Sequence, residues 1–140
     1  MPIFAQSLSP ILVVDDEKVV RTLVRLQLEE AGYTVLEAAD GREAIQLILN
    51  RSTPIELLIT DVLMPYMNGR ELATRASLIR PDIRVLFISA YSANLLIDLG
   101  VAPTGADFLR KPFQHGELAE RVKKLLATGR TWRQVNSKSV

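Results

Sequence analysis

Five short β-rich runs alternate with longer helical stretches along this chain, and four of the five end in polar residues. The runs read "ILVVD" (11–15), "TVLEA" (34–38), "IELLITD" (55–61), "IRVLFIS" (83–89) and "DFLRK" (107–111). Between the first two, Val20, Leu23, Val24, Leu28 and Ala31 recur at three- and four-residue intervals, which marks one helical face. Gly32 stops that helix. Asp40-Gly41 opens a second, with Ala44, Ile45, Leu47 and Ile48 as its apolar set. A third helix is expected over residues 68–79, ending before Pro81. A short fourth falls within 92–100, where "GVAPTGA" breaks it, and a fifth runs over 115–127 on Leu118, Val122, Leu125 and Leu126. Strands separated in this way pair through βαβ crossovers, giving a parallel sheet covered on both faces. The unbroken apolar character of the first, third and fourth runs fits burial from both sides. The expected fold is therefore α/β, with a doubly wound five-stranded parallel sheet in three α/β/α layers.

Length and composition narrow the function classes. The 140 residues suit one domain with a sizeable core, and 48% hydrophobic with 24% charged residues is a soluble balance. No apolar run approaches the roughly 18 residues of a membrane span. The start, "MPIFAQSLSP", has neither a basic stretch nor an extended apolar one, so it does not read as a signal peptide. The chain has no cysteine, which removes disulfides, thiolate metal sites and cysteine nucleophiles and agrees with a cytoplasmic location. Net charge is +1, but Arg130, Arg133 and Lys138 sit in the acid-free stretch "TGRTWRQVNSKSV", leaving the rest slightly acidic. That excludes a general nucleic-acid footprint. The expected organisation is an N-terminal extension (1–9), a folded domain (10–127) and a basic polar tail without fixed structure (128–140).

The strand ends carry the chemistry. In an open parallel sheet, ligands bind outside the carboxyl ends of the strands, where strand order reverses. With the order 2-1-3-4-5, Asp15, Asp16, Asp61, Ser89 and Lys111 converge on one cleft. Two like charges about 4 Å apart at an effective dielectric of 20 repel by roughly 4 kcal/mol, so three carboxylates call for a cation. A hard ion with oxygen ligands fits, and Mg²⁺ fits best, because it is commonly shared between one or two carboxylates, waters and phosphate oxygens. Carboxylate, Mg²⁺, hydroxyl and lysine together make a phosphoryl-transfer site with an aspartate nucleophile. Taken singly, each residue has an ordinary reading. Asp15 and Asp16 would cap the first helix, Asp61 would be a turn residue, Ser89 a small hydroxyl after a strand, and Lys111 a solvated cation.

The blocks "ILVVDDE", "LLITDVLMPYMNG", "VLFISAY" and "DFLRKPF" together resemble the signature of the response-regulator receiver family, over residues 10–127. The resemblance implies a flavodoxin-like domain that accepts a phosphoryl group from a histidine kinase or a histidine phosphotransfer domain. By the same resemblance, Asp61 is the phosphoacceptor. Asp16 binds Mg²⁺ directly, Asp15 acts largely through water, and the backbone carbonyl of Leu63 completes the protein ligands. Ser89 is the switch hydroxyl, Ala90 leaves room for the phosphoryl group, Lys111 grips it, and Phe108 is the aromatic switch. Pro112 belongs to a Lys-Pro pair that in this family is typically cis. Output is implied through the surface of the fourth helix, fifth strand and fifth helix, with no direct nucleic-acid contact and no membrane.

Three departures stand out. Leu63 and Tyr91 lie two residues beyond Asp61 and Ser89, beside the path of attacking water in the family, and offer little to orient it. "SANLLIDLGVAPTGADFLRKPF" is closer to receivers at the C-terminus of hybrid histidine kinases than to those of transcription factors. "FQHGEL" lacks a Ser or Asp cap, so the last helix should start weakly. The leading expectation is a signalling module rather than an enzyme. Its rivals are a Mg²⁺-dependent phosphatase or phosphotransferase with an aspartate nucleophile, and a degenerate receiver that only binds a partner. The common haloacid-dehalogenase-like hydrolases place a second acid where this chain has Leu63.

Overall fold

The computed structural model describes residues 9–137. The elements in order are β1 (Ile11–Val14), α1 (Lys18–Glu30), β2 (Val35–Ala38), α2 (Gly41–Leu49), β3 (Leu57–Thr60), α3 (Gly69–Ile79), β4 (Arg84–Ser89), α4 (Ala93–Asp98), β5 (Asp107–Arg110), α5 (Glu117–Thr128) and α6 (Trp132–Ser137). All strand pairs are parallel and the sheet order is β2-β1-β3-β4-β5. This is the doubly wound, flavodoxin-like arrangement, and its strand order reverses between β1 and β3.

Alternation along the strands splits the core in two. Ile11 and Val13 of β1 face the layer of α1 and α5, joined by Leu57, Ile59, Leu86, Ile88, Val24, Leu28, Leu118 and Val122. Leu12 and Val14 face the opposite layer, with Leu58, Phe87, Ala44, Ile48, Leu72 and Ala76. Side chains of period two on a sheet covered on both sides require this, and it is why β1 and β3 are buried at every position.

Local chemistry sets the helix starts. Asp40 caps α2 by accepting from the Glu43 N–H at 2.9 Å. Asn68 and Glu71 form a reciprocal capping box at α3. The N-cap of α5 is Gly116, at φ 89° and with no side-chain cap, so α5 begins two residues later than its apolar spacing suggests. Glu117 instead turns back to accept the Gln114 N–H at 2.8 Å.

The expected structureless tail at 128–140 is corrected for the residues described. Thr128 closes α5, and Trp132–Ser137 form α6. Trp132 and Val135 are buried at 2% and 3% exposure. Two apolar residues three apart are too short a pattern to announce a helix, and only the packing partner supplied by α3 makes burying them worthwhile. Residues 1–8 of the expected N-terminal extension lie outside the described range. No helix among the described residues is long and apolar enough to cross a membrane.

Candidate functional site

Two of the three acids stand one residue beyond a strand. β1 ends at Val14 and β3 at Thr60, so Asp15 and Asp61 open the loops that leave the sheet. The two strands are neighbours, and the Asp61 N–H donates to Val14 O at 3.0 Å, fixing the acids side by side. Asp15, Asp16 and Asp61 each place a carboxylate oxygen within 4.8 Å of the other two. From β5, two strands away from β3, Lys111 reaches back with its ammonium 3.3 Å from Asp15 Oδ2 and 3.8 Å from Asp61 Oδ2.

Asp15 and Asp61 are buried, whereas Asp16 is exposed. Asp15 does not cap α1: its Oδ1 accepts from the Glu17 N–H at 2.9 Å, and the N-cap position is Glu17, without a side-chain bond. The capping alternative therefore fails, and the remaining carboxylate oxygens face the cleft. Burial pushes the Asp61 carboxyl up to about 6; the Lys111 charge opposes this, Asp15 adds to it, and the Val62 N–H, 2.8 Å from Oδ1, opposes it. A buried carboxylate beside two others is held at a cost that a positive ligand would offset. Three carboxylates with oxygens this close suit a hard divalent ion such as Mg²⁺.

The other residues singled out in the sequence spread over the rim and the sheet. Ser89 ends β4 and is 1% exposed, its Oγ accepting from the Tyr91 N–H at 3.1 Å. Leu63 and Tyr91 are 42% and 50% exposed, so neither side chain is packed down over the acids. Ala90 lies at the surface and the Lys111–Pro112 peptide bond is cis. Ala90, Lys111 and Pro112 also border an apolar cleft of about 410 Å³ whose other wall is Val20, Leu23 and Val24 of α1. Phe108 is not among the acids. It pairs with Phe87 across β4 and β5, two positions below Ser89, and is half-buried.

Two supporting residues escaped the sequence reading. A Cβ on Gly69 would lie 2.4 Å from Asp61 O, so only glycine lets the start of α3 close against the backbone of the acid. A glycine at a helix start was the one available signal. Arg21 donates from Nη1 to Asp15 O at 2.7 Å and from Nε to Glu37 at 3.2 Å, tying the acidic corner to α1 and β2. An arginine four residues into a helix carries no sequence mark of that role.

Comparison with known proteins agrees with this fold. The family model described as "Response regulator receiver domain" matches residues 11–123. The response regulator receiver protein CpdR of Brucella abortus (strain 2308) is 37% identical over 83% of this chain and 95% of its own length. Other curated relatives are longer; the chain spans 12% of a sensor kinase and about half of several transcriptional regulators. Among solved structures, the receiver domain of the hybrid histidine kinase CckA is 41% identical, with a TM-score of 0.70 over 84% of this chain and 99% of that one. The response regulator TrrA of Thermotoga maritima, solved in complex with Mg²⁺-BeF, is 34% identical, with a TM-score of 0.69 over 84% of this chain and 98% of that one.

Proposed function

The chain belongs to the response regulator receiver domain family, and on that premise we propose that Asp61 is its phosphoacceptor. The donor is a phosphohistidine on a histidine kinase or a histidine phosphotransfer domain. One observation carries the reading: the buried Asp61 lies between two further acids and the Lys111 ammonium, 3.8 Å from its Oδ2. Asp16 and Asp61, the Leu63 carbonyl and Asp15 through water would hold Mg²⁺, which supplies charge neutralisation for the incoming phosphoryl oxygens.

Each residue then has a task. A carboxylate oxygen of Asp61 attacks phosphorus in line, the P–N bond breaks, and the histidine leaves with its electron pair. The Val62 N–H, bonded to Oδ1, holds the carboxylate in one orientation. Lys111 moves its charge from Asp15 onto the new phosphoryl group, and Ser89 exchanges the Tyr91 N–H for a phosphoryl oxygen. Phe108 follows into space left by Ser89, and the surface of α4, β5 and α5 changes. Leu95 and Leu99, exposed at 42% and 59%, give that surface apolar contacts for a downstream protein. The module is a signalling element on the cytoplasmic side, with only self-phosphorylation and slow loss of the phosphoryl group as chemistry.

The direct test is intact mass after incubation with acetyl phosphate and Mg²⁺, where the phosphoryl passes to the chain and acetate leaves. One added phosphoryl group is expected on the full chain and none on Asp61→Asn. Full labelling of Asp61→Asn would overturn the assignment.

A further inference from the structure

Helix α6 lies wholly beyond the residues 11–123 matched by the family. It is nonetheless built into the domain. The Trp132 N–H donates to Ile83 O at 2.8 Å, and its indole Nε1–H donates to Thr74 Oγ1 of α3 at 3.2 Å. The linker before it is clasped on both sides: Arg84 Nε donates to Gly129 O at 2.9 Å, and Arg130 Nη2 donates to Gly105 O at 3.3 Å.

The ring contacts give this docking a second meaning. Trp132 meets Phe87 edge-on, with centroids 5.5 Å apart. Phe87 meets Phe108 with centroids 5.4 Å apart, tilted by 43°. Three aromatic rings therefore connect in series the switch position on β5 to the helix that the family match does not include. Phe87, the middle ring, is fully buried.

We propose that residues 131–137 act as a ligand carried by the chain itself, seated on α3 and the start of β4, whose docking is coupled through Phe87 to Phe108. Loading of Asp61 loosens α6, and docked α6 opposes loading. This rests on the reading of Phe108 as the switch residue. A close-packed interior does not yield continuously, so a buried Phe87 cannot follow a displaced Phe108 without changing its contact with Trp132. The sign follows from the contacts present. Ser89 Oγ is engaged with the Tyr91 N–H and Lys111 with Asp15, which is the arrangement that loading must break, and it is in this same state that Trp132 of α6 is seated on Phe87. Linkage then requires reciprocity: the factor by which loading weakens α6 docking is the factor by which α6 weakens loading.

The chain's single tryptophan is its own reporter. The full chain is treated with acetyl phosphate and Mg²⁺, and intact mass and Trp132 emission are read on the same samples. Emission should shift to the red in proportion to the loaded fraction and stay fixed in Asp61→Asn. Phe87→Leu should still load, with the emission change cut by about threefold or more. At sub-saturating acetyl phosphate, Trp132→Leu should reach a loaded fraction about two- to fivefold higher, and the milder Trp132→Phe should fall between. Loading without an emission change overturns the coupling, as does an equal or lower loaded fraction in Trp132→Leu and Trp132→Phe. If the parent chain takes up no phosphoryl group, the phosphoacceptor reading has failed, and Phe108→Leu decides the coupling alone. A shifted Trp132 emission in that variant supports it, and an unchanged one overturns it.

Discussion

The ammonium of Lys111 lies 3.3 Å from Asp15 Oδ2, its nearest acidic partner. Its contact with Asp61 is longer, at 3.8 Å. In the protein alone, Lys111 is thus committed to an acid that a divalent ion would also claim. On the proposed function, lysine and metal would compete for one carboxylate, although phosphoryl transfer would call on both.

From that competition, Lys111→Met should bind Mg²⁺ more tightly than the parent, by about three- to tenfold, because Asp15 is released. The same variant should load from acetyl phosphate more slowly, having lost the cation that meets the phosphoryl oxygens. Calorimetric titration with Mg²⁺ beside a mass-spectrometric time course separates the two effects. Weaker binding together with slower loading would mean that Lys111 supports the ion site rather than competing for it.

Asp61 makes stability fall with rising pH. Its folded pKa of about 6 exceeds the ordinary 3.8, so the folded state binds this proton more tightly than the unfolded state does. The contribution is fully present below pH 3.8 and is lost as pH rises to about 6. Across that interval the ionised group comes to disfavour the fold by up to about 3 kcal/mol. In chelator at pH 7, Asp61→Asn should therefore be more stable than the parent, and added Mg²⁺ should narrow the gap by stabilising the parent. Urea unfolding at pH 4 and pH 7 checks it; an equal difference at both pH values contradicts the linkage.

Gly69→Ala tests the closeness of α3 to the acid. Its Cβ would stand 2.4 Å from Asp61 O and 3.1 Å from Val62 Cα, both backbone atoms that cannot turn aside. A loss of about 1–3 kcal/mol is expected, with slower loading because the Asp61 peptide must shift. Asn68→Ala, which removes a cap at the same helix end but adds no clash, should lose about 1 kcal/mol and load normally.

The lifetime of the phosphorylated state bears on Leu63 and Tyr91. Water must attack in line, and neither an aliphatic chain nor a rigid ring at the rim holds it there. Leu63→Asn and Tyr91→Glu should each speed loss of the phosphoryl group by about three- to tenfold. Dephosphorylation followed by intact mass after removal of acetyl phosphate measures this. Unchanged or slower loss in both variants would show that these side chains do not govern access.

Most of the fold was legible because its signals are local and repeated. The helical face through Val20, Val24 and Leu28, the glycine stop at Gly32 and the apolar runs through Leu12 and Leu58 each report on a few adjacent residues. Strand alternation then leaves β1 and β3 one role, in the middle of a covered sheet. Element ends were less legible. Asp15 and Asp61 read as strand residues, yet they fall just outside the ladder, and Gly116 delays α5 by adopting positive φ.

Residue order alone determined the four crossovers, the acids at the ends of β1 and β3, and Lys111 after β5, since hydrophobic period and strand-end chemistry are written within single segments. Tertiary structure alone decided three further matters. It set Lys111 nearer to Asp15 than to Asp61, made Gly69 indispensable beside the Asp61 carbonyl, and drew Trp132 out of a polar stretch into the core against Phe87. Each depends on distances between segments far apart in the chain, and a short pattern such as Trp132 and Val135 gains a meaning only when another element offers it a surface to bury.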